Sequence, residues 1–212
     1  MYMSCFRLKL NTPSVMQCLR DAQDLHRNVM KMFPQAADGK ARQELGVLHR
    51  LYRMPKETRL YITSIHEPDS LLIAPGFELV DRPKDLAPVL GSIASGNTYR
   101  FDLFTSPTKK VKSEGKNSKR VFLGAQLDRL EWLKRKAQVA GFELVWVREE
   151  GQETVHAALN REAASITFVG VHFCGVLKVT DSSAFQEAYA KGIGPQRAYG
   201  MGMLLLAPAE DG

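Results

Sequence analysis

Three cysteines in 212 residues (Cys5, Cys18 and Cys174) are too few, too scattered and the wrong parity for a disulfide framework. Reduced thiols in a cytoplasmic protein are the expectation. Long apolar runs are missing as well. No stretch approaches the roughly 18 uninterrupted apolar residues of a membrane span. Arg7 and Lys9 break the first apolar run and no small-residue cleavage site follows it, so no secretory signal is expected. Metal patterns are equally scarce. The five histidines, His26, His49, His66, His156 and His172, offer no pair with metal-ligand spacing, and His172-Phe173-Cys174 alone is not a zinc site. A Gly-x-Ser-x-Gly elbow, a P-loop and a magnesium-holding carboxylate cluster are all absent. Any reaction is therefore expected to need no metal and no cofactor.

What is present is a modest excess of cations, 29 Lys+Arg against 23 Asp+Glu, for a formal charge of +6. That balance is compatible with a polyanionic partner but does not require one, so the placement of the charges has to decide. The length fits one large domain or two small ones, and a 44% hydrophobic content supplies real cores. Glycine is concentrated near the end. Gly192, Gly194, Gly200 and Gly202 bracket Arg197 between an amphipathic segment and a final apolar strand. Two Gly-x-Gly pairs describe a loop bent at both ends, with a cation at its crest and backbone amides that can face an anion such as phosphate. The plainer alternative is a helix cap followed by a tight turn.

Taken in order, residues 2–10 read as a strand closed by the turn signal Asn11-Thr12-Pro13. Ala22, Leu25, Val29 and Met32 share one helix face over Asp21–Phe33, and Pro34 follows. Strands are expected over Glu44–Arg53 and Arg59–Ile65, a short helix over Asp85–Ile93 and a strand over Tyr99–Phe104. This βαββαβ order is the ferredoxin-like plan. Residues 105–120 are poor in apolar side chains and carry six cations and one acid between Lys109 and Arg120, which marks a basic connection. The same order then returns: a short strand at Val121–Gly124, a helix over Ala125–Ala140 with Leu127, Leu130, Leu133 and Ala137 inward, and a strand over Phe142–Arg148. A longer strand over Ile166–Val179 follows, where Gly175 suggests a bulge, then a helix over Ala184–Lys191 capped at Asp181 and a last strand over Met203–Leu206. The fold class is α+β, two tandem ferredoxin-like domains over 1–104 and 121–212, joined by 105–120.

Among the histidines, His26 keeps distinctive company, on the first helix beside Arg27 and near Lys31. An imidazole with an ordinary pKa near ~6.5 can give or take a proton at neutral pH, and the neighbouring cations suit a phosphate. A solvated surface side chain is the plainer alternative. His49 and His172 lie on expected strands and read as satisfied sheet residues.

Three stretches together resemble the CasE family, the repeat-processing endoribonucleases of type I-E CRISPR systems. They are Asp24-Leu25-His26-Arg27 running on to Met32-Phe33-Pro34; Ser106-Pro107-Thr108-Lys109 with Lys119-Arg120-Val121; and Phe173-x-Gly175-x-Leu177-x-Val179 leading into Gly192-Ile193-Gly194-Pro195 and Gly200-x-Gly202-x-Leu204-Leu205. They span nearly the whole chain in the right order. The resemblance implies binding of the stem-loop of CRISPR repeat RNA and metal-independent cleavage at the 3′ base of the stem. It also implies a 2′,3′-cyclic phosphate and retention of the product among the other subunits of the Cascade complex.

By the same resemblance His26 is the catalytic histidine, assisted by Gln23, Arg27 and Lys31. RNA contacts are expected from Lys109, Lys110, Lys112, Lys116, Lys119 and Arg120, from Arg148 and Arg161 flanking a hairpin of the second domain, and from Arg197. Stems of A-form RNA are read chiefly by shape and backbone charge, and no RNA-recognition aromatic octamer is present for stacking on an open sheet. Gln23 departs from the family, where a tyrosine is common, and cannot share a proton as a phenol can. Thr105-Ser106-Pro107 replaces Ala-Asn-Pro, and Asp102 stands where a basic residue is common. Two other readings stay open at this point: a non-catalytic RNA-binding assembly subunit on the same scaffold, and a small-molecule enzyme or sensor.

Overall fold

A computed structural model describes residues 1–34, 41–112, 118–158 and 165–209. The chain begins with β1 (Tyr2–Leu8), α1 (Pro13–Arg20), α2 (Ala22–Lys31), α3 (Ala41–Glu44), β2 (Leu48–Arg53), β3 (Thr58–Ser64), β4 (Phe77–Leu79) and β5 (Lys84–Asp85). After α4 (Ala87–Gly91) come β6 (Thr98–Thr105), β7 (Thr108–Val111), β8 (Lys119–Phe122) and α5 (Gln126–Val139). The remaining elements are β9 (Phe142–Ala158), β10 (Ser165–Val179), α6 (Ser182–Lys191) and β11 (Leu204–Pro208). The strands pair antiparallel into two main sheets, ordered β2-β3-β1-β4 and β11-β6-β10-β9, with β5 added beside β1 and β7-β8 forming a separate hairpin. The chain is α+β with two ferredoxin-like halves. Each sheet buries one face in its own cluster, around Phe6, Leu60 and Ile62 in the first half and around Leu103, Phe173 and Phe185 in the second.

One strand belongs elsewhere than expected. Thr98–Thr105 does not close the first sheet; it pairs with β10 and β11 and occupies the centre of the second. Alternation specifies a strand and its buried face, not its partner. The first sheet takes its last strand from β4, and a 3-10 turn at Ser70–Leu72 stands where that half needs its second helix. The basic stretch 105–120 is corrected with it. Its described ends form the β7-β8 hairpin between β6 and α5, inside the second half and not between the halves.

Local chemistry explains the other departures. Asn11-Thr12-Pro13 reads as a turn, yet Pro13 opens α1, where its missing N–H costs nothing, and the helix buries Val15 and Cys18. In α5 the buried stripe is Arg129, Trp132, Leu133 and Ala137, while Leu127, expected inward, is 76% exposed. Arg129 takes the inner position because its guanidinium is answered there, by Glu149 through Nε at 2.9 Å and Nη2 at 2.7 Å. Strand β9 runs ten residues past Arg148, to Ala158. Two register shifts leave Val145 and Glu150 unpaired on β9, so the Glu149-Glu150-Gly151 stretch is absorbed as a bulge, not a turn. Gly175 lies between the two shifts, with the extra residues on its partner strand.

Candidate functional site

The helix carrying His26 is fixed by its cap. Asp21 Oδ1 accepts the N–H of Gln23 at 2.9 Å and, from the second half, the N–H of Ala158 at 3.1 Å. One carboxylate thus starts α2 and ties it to β9. The helix turns Leu25 and Val29 into the core and packs its flank on the 3-10 turn Arg197–Tyr199 of the glycine loop. His26 is left half-buried between the halves.

Behind His26 lies His49 of β2, fully enclosed. The two rings stack with centroids 6.1 Å apart and planes 21° from parallel. Nδ1 of His26 and both ring nitrogens of His49 are buried without a hydrogen-bond partner among the described residues. This corrects the expectation of a satisfied sheet histidine at position 49. It holds at His172, which faces Glu153 at 3.5 Å and stacks on Phe104 at 4.3 Å. Burial, then the charges of Arg42 and Arg27, push the His26 pKa down to about 4. Burial, then His26 and Arg42, push His49 down to about 3. His26 is therefore largely uncharged at neutral pH. A neutral imidazole keeps a lone pair, which is what a general base needs.

Two guanidiniums complete the cluster. Arg42 donates from Nη1 to the carbonyl of Val47 at 3.4 Å, and Arg197 donates from Nε to the carbonyl of Gly194 at 2.9 Å. Burial lowers the pKa of both, and the charge of Arg197 lowers Arg42 further. Of the expected assistants, Arg27 is exposed and pairs with Asp24 at 2.8 Å, Gln23 is half-buried at the helix start, and Lys31 is exposed in the last turn. Sequence reading missed Arg42 and undervalued His49. The only sequence signal for either was a polar residue beside a buried run.

The glycine loop is bent at both ends as expected, with Arg197 between the bends. Gly192, Gly194, Gly200 and Gly202 all have positive φ, between 78° and 95°. Ile193 N–H donates to the carbonyl of Gly202 at 2.8 Å, Gly202 N–H to that of Phe104 at 2.7 Å, and Thr105 Oγ1 to that of Ile193 at 2.9 Å. A Cβ at Gly194 would overlap Thr105 Oγ1, so glycine is required there for close approach as well as for φ. The amides of Gly192, Ile193, Tyr199 and Gly202 are spent on carbonyls. What the loop offers an anion is Arg197, not those amides. Gly200 roofs His49, where a Cβ would stand 3.6 Å from the ring.

The remaining expected contacts are carried by the second half. Lys109 and Lys110 on β7, Lys112 just beyond, and Lys119 and Arg120 on β8 are all exposed, and Lys110 faces Arg120 directly across the hairpin. Like charges in that register repel, which a polyanion would relieve. Arg148 is exposed and pairs with Glu150 at 2.6 Å. Lys116 and Arg161 lie outside the described residues. Elsewhere between the halves is a cavity of about 330 Å³, lined by Arg50, Arg53, Asp102, Glu153 and His172 among others. Two ion pairs border it: Arg50 to Asp102 at 2.5 Å, and Arg53 to Glu153. Asp102, unusual for the resembled family, thus has a partner in this chain.

Among the described residues no three His, Cys, Asp or Glu side chains group as a metal site would need, and no helix is long and apolar enough to cross a membrane. The family model described as CRISPR associated protein matches residues 1–208. The chain is 28% identical over 205 residues to the CRISPR-associated endoribonuclease Cse3 of Thermus thermophilus, covering 90% of this chain and 92% of that one. A solved structure of endoribonuclease Cse3 bound to 19 nt RNA matches with a TM-score of 0.81 at 25% identity, covering 98% of each chain. A chain of a CRISPR RNA-guided surveillance complex matches with a TM-score of 0.71 at 25% identity, covering 99% of this chain and all of that one. With a match running almost from end to end, this chain belongs to the CRISPR-associated protein family.

Proposed function

We propose that this chain is a metal-independent endoribonuclease of the prokaryotic cytoplasm. It binds the stem-loop of CRISPR repeat RNA, cuts at the 3′ base of the stem and stays with its product as a Cascade subunit. One observation carries the reading: a neutral imidazole, His26, closed on its Nδ1 side and set in the positive field of Arg42 and Arg27, with Arg197 next to Arg42. The relatives named for endoribonuclease activity and for an RNA-guided complex support it.

The chemistry follows from what these groups can hold. A phosphodiester drawn to the guanidiniums lies beside His26, which removes the proton of the adjoining 2′-OH. The 2′-oxygen attacks phosphorus as the bond to the 5′-oxygen breaks. The departing oxygen is protonated, and the upstream fragment keeps a 2′,3′-cyclic phosphate. Guanidiniums stabilise the negative charge that builds on the phosphoryl oxygens. The imidazolium formed by the first transfer is acidic in this setting and can return its proton to the leaving group. Hairpin β7-β8, Arg148 and Arg161 track the stem phosphates, while Gln23 and Lys31 border the reacting phosphate.

The test is incubation with the chain's own repeat RNA in EDTA. Wild type is expected to release a fragment ending in a cyclic phosphate. His26→Ala is expected to slow cleavage by about 10²–10⁴-fold, with RNA affinity retained. Absence of cleavage by wild type would leave the second reading, an RNA-binding assembly subunit. The observation favouring that reading is Gln23, which supplies no phenolic proton beside the histidine.

A further inference from the structure

The pair of stacked histidines carries more than the activity just described. For His26 to accept a proton at Nε2, its neutral ring must hold the other proton on Nδ1. That nitrogen is sealed from solvent and has no hydrogen-bond partner among the described residues. A buried N–H without an acceptor is costly, so the tautomer needed for catalysis would be the disfavoured one if nothing answered it. Three unpartnered ring nitrogens share this one enclosed place, two of them on His49. The stacked ring is fully buried and held from behind by Gly200, so it cannot reach substrate itself.

We propose that His49 is the positioning residue of the site: no hydrogen bond joins the two rings directly, and its ring nitrogen accepts His26 Nδ1–H through one bridging water, which fixes the tautomer that presents Nε2 to the RNA. This rests on the endoribonuclease reading. The charged neighbours of the pair are Arg27 on α2, Arg42 on α3 and Arg197 on the loop, all cationic. A neutral acceptor is what such a setting permits, since a protonated His49 would have no lone pair on either nitrogen. Being uncharged, it orients the base without raising its pKa as a carboxylate would. His26 is thereby oriented yet remains able to hand its proton on.

Two measurements test this. Nitrogen-15 NMR of the free wild-type protein at pH 7 is expected to show His26 protonated at Nδ1; protonation at Nε2 overturns the proposal, whether or not the protein cleaves. The second is single-turnover cleavage of the repeat RNA from pH 5 to 9 by His49→Phe and His49→Gln. His49→Phe is expected to cleave about 10–100-fold more slowly across that range, the worth of one hydrogen bond to a charged group, with unchanged RNA affinity. His49→Gln, which restores an acceptor, is expected to recover part of the rate. A folded His49→Phe with wild-type rate would refute the assignment. Failure of wild type to cleave would instead count against the endoribonuclease reading, leaving the tautomer measurement to judge the pair.

Discussion

Two adjacent residues of β2 meet opposite environments where the halves join. Arg50, 1% exposed, reaches Asp102 across the interface, in a region where Arg53 also has Glu153 and His172 has the same carboxylate. His49, its neighbour in the chain, meets His26 in the field of Arg42, with no partner on either ring nitrogen. One region is matched charge for charge and holds the halves together. The other gathers positive charge around ring nitrogens that have no partner among the described residues. The two regions thus differ in charge pairing, although Arg50 Nε and Nη1 also have no partner among the described residues.

The largest stability effect should come from the matched region, and it should be asymmetric. Asp102→Ala strands a buried guanidinium whose Nε and Nη1 already lack partners. A broken buried pair costs about 3–5 kcal/mol, and the low end applies because Asp102 is 30% exposed. Arg50→Met removes the buried charge and leaves a carboxylate that water can reach, so its cost should be clearly smaller. Urea melts of both variants decide the matter: equal losses would mean that Arg50 is held by packing and not by its charge.

Next in size is acid sensitivity, whose sign follows from the two histidines. Both have folded pKa values, about 4 and about 3, below the ordinary 6.5. The unfolded chain therefore binds more protons, and their contribution is complete above about pH 6.5 and lost as pH falls toward 4 and then 3. Carboxylates with lowered pKa, such as Glu153, begin to matter only in the lower part of that range. A fall in Tm between pH 7 and 5 that His49→Gln diminishes is the expected result; a flat profile would mean that the rings are solvated.

Legibility in the sequence divides along physical lines. Helix α2 was readable because its cap at Asp21, its stripe through Leu25 and Val29 and its stop before Pro34 are all local. The glycine loop was readable because positive φ selects glycine. Partnerships between distant segments were not. Thr98–Thr105 alternates identically whichever sheet receives it, and only its pairing with β10 and β11 decides. Arg129 on the inner face of α5 was invisible without Glu149, and His49 looked like a sheet residue until α2 laid His26 over it. The site was half legible for the same reason: residue types mark out a candidate histidine, while its neighbours come from folding.

The smallest effect tests the contrast on exposed ground. Hairpin β7-β8 faces Lys110 against Arg120 with no carboxylate between them in register, the opposite of the Arg50–Asp102 arrangement. Removing a charge there should cost the fold nothing beyond about 0.5 kcal/mol, since cross-strand like charges oppose pairing to begin with. RNA binding should nonetheless weaken, evenly across stem sequences, because phosphates are being tracked and not bases. If the hairpin and its neighbours neutralise roughly six phosphates, affinity falls about 10³-fold between 50 and 200 mM salt, and Lys110→Ala should lower the log–log slope by about 0.9. An unchanged slope would mean that the hairpin's cations never meet the backbone, and that RNA is held by the loop arginine and the far strands alone.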